Sequence, residues 1–451
     1  MSNPAENDKK LSKINYIIIS SLIFGLFFGA GNLIFPLHLG QLAGHNWLFA
    51  SLGFLVTSVL LPLLSILAIA LTHSKGVYDI GKPAGSWFAL LFMVLIHLTI
   101  GPLFGTPRTA TVSFTVGIAP FLKASQMSTG LLIFSAIFFI AVFCISYNQS
   151  DILTTVGKVL NPLFLVLLFL VLLVAFLFPL GKLSTAPVNP AYVTGKSSFV
   201  NGFLEGYNTL DALAGLAFGV TIVTAIKQMG SDQGVAFATA KSGSLSMLAV
   251  ALIYLLLILA GVMSLGKFKL SANGGIAFAQ IVQHYGGQFG QAVLAALIVL
   301  TCLTTAVGLV AVFAQDFHEH FPKVSYHVWL FITSLLSFLF ANVGLTTIIS
   351  WSKPATMLLY PIAILLIFLS VCEKFFKKSR IVYSVSLFFV SIPAIMDMIV
   401  SLPAVVSRSD FGLAVANLRN LIPFADRGLS WVIPMLLGVS IGTIIFEYLD
   451  K

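Results

Sequence analysis

Long apolar runs recur along this chain from about residue 14 to about residue 447, with short polar stretches between them. A helix needs about 20 apolar residues to cross the roughly 30 Å hydrocarbon core of a bilayer. Twelve runs approach or exceed that length, at about 14–37, 47–71, 86–119, 127–146, 158–180, 203–226, 242–265, 288–314, 327–343, 350–371, 381–403 and 429–447. Composition agrees. Of 451 residues 58% are hydrophobic and 9% charged, against about 25% charged in soluble domains. A soluble multidomain enzyme and a disordered chain are both excluded. The expected fold class is an all-α polytopic membrane protein with about 12 transmembrane helices.

The third run is too long for one straight crossing and contains Pro102 and Pro107, so a broken or strongly tilted helix is expected there. The segment 268–287 is mildly amphipathic and too short to span; it reads as an extramembrane helix or hairpin. Net charge is +9 without any long Lys/Arg run, which points to loop charges that set membrane orientation and not to nucleic acid. With the N-terminus in the cytoplasm, inside loops and tails hold 14 Lys and Arg and outside loops hold 8, while Arg108 and Lys353 fall within spans. That bias places both termini inside. Cys144, Cys302 and Cys372 are far apart and fall within or beside apolar stretches, so reduced packing thiols are expected. No cleavable signal peptide, Walker motif or dinucleotide fingerprint is visible.

Two spans carry unusual polar and glycine content. The first reads IFGLFFGAGNLIFP, with Gly25, Gly29 and Gly31 beside Asn32, and Pro36 at its end. Glycine lowers helix propensity by about 1 kcal/mol relative to alanine. This sequence therefore reads either as an unwound segment lining a cavity or as a Gly25-xxx-Gly29 packing face. The sixth reads GFLEGYNTLDALAGLAFGVTIVTAIK, with Gly206, Asp211, Ala214, Gly215 and Gly219. An intramembrane carboxylate is a functional hypothesis by default. Asp211 could bind a cation, carry a proton, pair with a base or serve structure; Glu205 reads as interfacial. If five helices form a repeat, the odd number inverts the second copy, and two broken helices five spans apart meet at the midplane. The domains are then a cytoplasmic tail over 1–13, repeats over 14–180 and 203–371, and two additional helices over 381–447.

Other polar groups are ambiguous. Thr301, Thr304 and Thr305 in the eighth span share a helical face and suit either a small cation or back-bonding to the helix. Arg108 could hold a substrate carboxylate, pair with Asp211, or lie beyond the break near the outer surface. Lys353 reads as snorkelling and Asp397 as structural. Asp316-Phe317-His318-Glu319-His320 reads as a solvated cytoplasmic loop, not a metal site.

FGLFFGAGNLIFP, GPLFGTPRTATVSF and EGYNTLDALAGLAFG together resemble the bacterial branched-chain amino acid:cation symporter family, over nearly the whole chain. The resemblance implies uptake of leucine, isoleucine and valine across the bacterial cytoplasmic membrane, driven by sodium or in some members protons. It also implies the five-plus-five inverted-repeat leucine-transporter fold, with helices 1 and 6 broken. The Gly29-Ala30-Gly31-Asn32…Phe35-Pro36 pattern is similar to the first helix of neurotransmitter:sodium symporters. By that similarity the Phe27 and Ala30 carbonyls, the Thr304 and Thr305 hydroxyls and the Thr301 carbonyl form a sodium site. Backbone amides around Ala30 and Gly31 hold the carboxylate, and a break near Ala214 and Gly215 completes the pocket. No other cofactor and no obligatory protein partner is implied. A proton-coupled symporter using Asp211 is the alternative; a channel lacks a filter signature, and a membrane enzyme lacks a catalytic cluster.

Overall fold

A computed structural model describes residues 11–147, 152–229 and 234–449; most of the tail expected over 1–13 lies outside them. Helices account for all the regular structure among the described residues. Span one is two helices, α1 (Lys13–Phe27) and α2 (Ala30–Ala43). Span two is α3 (Trp47–Leu55) and α4 (Leu61–Thr72), joined through a wide π turn over Val56–Leu60. The short α5 (Val77–Gly81) follows. Span three is α6 (Ser86–Leu98) and α7 (Gly105–Gly117). Between them a π turn over Thr99–Leu103 contains Pro102 and a non-helical Gly101, which is the interruption expected from the prolines.

Spans four and five are α8 (Met127–Ser146) and α9 (Ile152–Leu177). Span six is α10 (Gly195–Gly206) and α11 (Asp211–Gln228). Span seven is α12 (Val235–Ser264). The long α13 (Gly274–His320) is kinked at Gly287, whose φ of 57° suits glycine. Its first arm makes most of the segment 268–287 a helix that begins at Gly274, and span eight follows the kink. Spans nine and ten are α14 (Tyr326–Ala341) and α15 (Leu345–Val371). After the short α16 (Glu373–Phe376), α17 (Arg380–Ser401) is span eleven. The loop between spans eleven and twelve carries α18 (Ala404–Ser407) and α19 (Asp410–Arg419), and α20 (Val432–Leu449) is span twelve. By length and apolarity nine helical stretches among the described residues can cross a bilayer, and three shorter apolar helices, Lys13–Phe27, Leu165–Leu177 and Tyr326–Ala341, complete the expected twelve spans.

Packing divides eight spans into two groups. α11 lies along α4, and α12 along both α2 and α1, so spans one, two, six and seven form one group. α13 packs on α7, and α14 on α8 and α13, so spans three, four, eight and nine form the other. α17 and α20 pair at the edge, against α15. The exterior is apolar: Ile137, Ile140, Phe388 and Ile444 are each more than 60% exposed, which suits lipid contact. Some of the hydroxyls inside are satisfied locally. Ser20, Ser58 and Ser113 donate to carbonyls four residues earlier at 2.7–2.8 Å.

Span one and span seven meet through backbone. A Cβ at Gly40 would lie 2.0 Å from the Ile258 carbonyl oxygen, and one at Gly261 2.0 Å from that of Leu37. Small residues at membrane crossings permit this approach. Asp397 is structural, as its sequence context suggested: it is buried and accepts hydrogen bonds from Arg419 Nε and, at 2.6 Å, from Ser430 Oγ. The pair straps the loop between spans eleven and twelve onto span eleven. Cys302 is buried, Cys372 half-buried and Cys144 exposed, all as free thiols.

Residues 316–320 correct an expectation. They are the last turns of α13, not a loop. Asp316 reaches the buried His97 Nε2 at 2.8 Å, and His97 Nδ1 lies 3.0 Å from the Met93 carbonyl. The charge-rich sequence misled because one of its carboxylates has an intramembrane partner. No group of three or more His, Cys, Asp or Glu suited to a metal is present among the described residues.

Gly261→Leu should lower the unfolding temperature of the purified protein, since overpacking costs about 1–3 kcal/mol or more. Gly308→Ala, where a Cβ meets nothing within 4 Å, is the control and should leave it unchanged or raise it slightly through the gain in helix propensity.

Candidate functional site

The chain of span one is helical to Phe27 and resumes at Ala30. Phe28 (φ −77°, ψ 93°) and Gly29 (φ −122°, ψ −163°) are extended. The unwinding favoured by the glycine cluster is therefore present. The freed groups are answered locally: Phe28 N–H donates to the Phe24 carbonyl at 2.8 Å, and Gly29 N–H to Asn32 Oδ1 at 3.0 Å. The amides of Ala30 and Gly31 open α2, where helical N–H groups have no partner within the helix.

Span six breaks at Tyr207–Leu210, four residues before the expected position at Ala214 and Gly215. A single 3₁₀ turn over Tyr207–Thr209 ends in Leu210, which is left-handed at φ 64°, and Asp211 is the first residue of α11. The carboxylate thus sits at the positive end of a helix. Ala214 lines the cavity described below, whereas Gly215 faces α4: its Cβ would lie 1.9 Å from Ser65 Oγ.

The two breaks are bonded to each other. Asn32 Nδ2 donates to Asp211 Oδ2 at 2.8 Å and also to the Tyr254 hydroxyl, which itself donates to Asp211 Oδ2 at 3.0 Å. Asn32, Asp211 and Tyr254 are each at most 4% exposed. The triangle joins spans one, six and seven at one depth.

A small cavity of about 50 Å³ lies beside it, lined by Phe27, Gly29, Ala30, Gly31 and Asn32 from span one, Thr209, Leu210, Asp211, Ala214 and Phe218 from span six, Ile100, Gly105, Arg108 and Thr109 from span three, and Thr305 and Leu309 from span eight, with Leu26. Arg108 is buried here and not at the outer surface. Its Cζ lies 4.8 Å from the Phe35 ring centre, and Nη1 donates to the Asn208 carbonyl within the span-six break. Nε and Nη2 are buried without a hydrogen-bond partner. No ion pair joins Arg108 to Asp211.

Span eight touches the first break. A Cβ at Gly29 would lie 3.1 Å from Thr305 Cγ2 and 3.4 Å from its Oγ1. The Thr304 and Thr305 hydroxyls donate to the Thr301 carbonyl at 2.8 and 3.1 Å, so both oxygens keep lone pairs. Thr301 lies one turn before Thr305 and Thr304 immediately precedes it; neither lines the cavity itself. Lys353 is exposed and Glu205 half-buried, both away from the cavity lining.

Sequence reasoning overlooked Tyr254, Leu210 and His97. A lone hydroxyl in LAVALIYLLLILAG and a histidine in the third span were the available signals.

Two broken helices meeting inside a twelve-span bundle, with buried opposite charges around one cavity, define a membrane transporter class. Solved structures agree on the fold. Mhp1, a nucleobase-cation-symport-1 family transporter, in a closed conformation with bromovinylhydantoin bound, aligns with a TM-score of 0.59 at 13% identity, covering 99% of this chain and 95% of that one. Inward-facing Mhp1 aligns at 0.60 and 12% identity, covering 100% and 94%. The family model described as branched-chain amino acid transport protein matches residues 12–449. The branched-chain amino acid permease BrnQ of Lactobacillus delbrueckii subsp. lactis is 41% identical, covering 96% of this chain and 97% of that protein. BraB of Bacillus subtilis is 40% identical over 95% of each, and BrnQ of Escherichia coli 35% over 96% of each. This chain belongs to the branched-chain amino acid transport protein family. These relatives are named permeases, not enzymes.

Tyr254→Phe removes a donor to Asp211 and an acceptor for Asn32. The expected cost is about 1–3 kcal/mol, read as a lower unfolding temperature in detergent. An unchanged temperature would mean that the triangle does not hold the breaks together.

Proposed function

We propose that the chain is a secondary active symporter that imports leucine, isoleucine and valine with a cation, most simply sodium, by alternating access. The observation that carries this reading is the meeting of the two helix breaks at one buried cavity; family membership supports the substrate class. In this reading Gly29, Ala30, Gly31, Asn32, Arg108, Asp211 and Ala214 surround the substrate. Gly215 acts from behind, setting the distance between α11 and α4.

The half-helix α2 directs its N-terminal amides at the carboxylate, where the helix dipole favours an anion. Sodium is coordinated by the Phe27 and Ala30 carbonyls and the Thr304 and Thr305 hydroxyls, with the Thr301 carbonyl aligning both hydroxyls. Hydroxyls and carbonyls are hard oxygen donors. The contact of Thr305 with Gly29 supports this set, because it puts a hydroxyl beside the unwound turn. The aliphatic chain lies among Phe27, Ile100, Phe218 and Leu309. One methylene is worth only about 1–3 kcal/mol in such a pocket, so the three amino acids compete.

The cavity is small beside ligand pockets of about 300–1,000 Å³, so loading requires it to widen. Rocking of one four-span group against the other supplies that movement and exposes the site to alternate sides. The two five-span halves are the inverted repeats of this scheme, in a bacterial cytoplasmic membrane with both termini inside. Because ion and substrate bind the same broken helices, each tightens the other's binding. A second reading is proton coupling, favoured by the burial of Asp211 and its direct bonds to spans one and seven.

Radiolabelled leucine uptake into proteoliposomes tests the scheme. An inward sodium gradient should drive uptake that unlabelled isoleucine and valine block, and Thr305→Ala should raise the sodium concentration required. Uptake driven only by a proton gradient and lost in Asp211→Asn would replace sodium by protons. No uptake under either gradient would remove the transport reading.

A further inference from the structure

Arg108 and Asp211 carry opposite charges, line one cavity and make no ion pair with each other. Left to themselves in a low-dielectric interior, two such groups would pair, because an uncompensated buried charge is costly. Each is instead held back by other elements. The Asn208 carbonyl takes Arg108 Nη1, and the Phe35 ring covers the guanidinium. Asn32 and Tyr254 both bond Asp211 Oδ2, leaving Oδ1 outside the triangle.

The unpartnered atoms of Arg108 are informative. Nε and Nη2 share one edge of the planar guanidinium, and their hydrogens form the fork that matches a carboxylate bidentately. Arginine stays protonated in proteins. A 2% exposed arginine with that edge unused is a pre-formed receptor for a planar anion.

We propose that Arg108 is the anchor for the substrate carboxylate and Asp211 the partner of its α-ammonium group. This assignment rests on the transport reading above and deepens it. The site recognises the zwitterion of an α-amino acid first and its aliphatic chain second. It selects one of the roles the sequence left open for Arg108 and joins it to the backbone amides that the resemblance implies: the Ala30 and Gly31 amides contribute, and the arginine fork fixes the plane. A Cβ at Gly31 would lie 3.4 Å from Arg108 Nη1, so the anchor sits directly against the N-terminus of α2. The Nη1 bond to Asn208 also ties the anchor to the span-six break, so carboxylate binding is felt there without a further contact.

Two competitors separate the charges: 4-methylpentanoate keeps the chain and carboxylate without the ammonium, and 3-methylbutylamine keeps the chain and ammonium without the carboxylate. The assay is equilibrium binding of radiolabelled leucine to the purified full-length protein in lipid nanodiscs containing sodium. Neither competitor should displace leucine from the wild type. Arg108→Gln should weaken leucine binding about 10- to 100-fold, as loss of hydrogen bonds to a charged group does, and should let the amine compete about as well as leucine. Asp211→Asn should do the converse and favour the acid. Arg108→Lys keeps charge without the fork and should fall between wild type and Arg108→Gln.

An Arg108→Gln protein that binds leucine within about twofold of wild type would overturn the assignment. So would variants that weaken leucine and both competitors by one common factor, the mark of a structural role. If Arg108→Gln unfolds, the wild type still decides: strong displacement by the amine would overturn the anchor. Failure of the wild type to bind leucine at all would instead sink the transport reading.

Discussion

The structure depends on the hydrogen-bonded triangle of Asn32, Asp211 and Tyr254. A helix interrupted in lipid exposes amide and carbonyl groups that water cannot reach, and each unsatisfied group is expensive. Spans one and six accept that cost at the same depth. The triangle offsets part of it by tying the two breaks to each other and to the uninterrupted span seven. Asn32 serves both sides, since its carbonyl oxygen caps the Gly29 amide while its nitrogen reaches Asp211. Residues of both breaks line the cavity beside the triangle.

Much of this is legible in the sequence because the bilayer makes simple demands. Span length is a property of apolar composition, so the twelve crossings follow from hydropathy. The first break follows from Gly29 and Gly31 beside Asn32. The second break was displaced for an identifiable reason. Gly215 and Gly219 looked like weak points of a helix, but they serve close packing: their Cβ positions would meet Ser65 and Ile69 at 1.9 and 2.7 Å. The real break contains no glycine in its left-handed position, which Leu210 occupies. Sequence shows that a glycine is present, not whether it serves conformation or proximity. Tyr254 and His97 were hidden for another reason, since each is a lone polar group whose partner is distant in sequence.

Charged residues divide by what surrounds them. Asp397 and Arg419 neutralise each other at the edge of the bundle and fasten a loop. Asp316 meets His97 between spans three and eight. Arg108 and Asp211 do neither, and their separation is what distinguishes the centre of the molecule from its struts. The same physics gives both outcomes, because a buried charge must be answered by the chain or by something the chain carries.

The crossing of span one and span seven has a consequence for how the sequence can drift. Gly40 and Gly261 each press on a main-chain carbonyl, not on a side chain. Most tight contacts can be relieved by shrinking the neighbour, which lets two positions change together over generations. Here the neighbour is the peptide unit itself, common to every amino acid, and has nothing to shrink. Substitution at either glycine therefore has no second-site remedy at the contact. The two positions should stay fixed one by one, leaving no covariation signal of the contact they create.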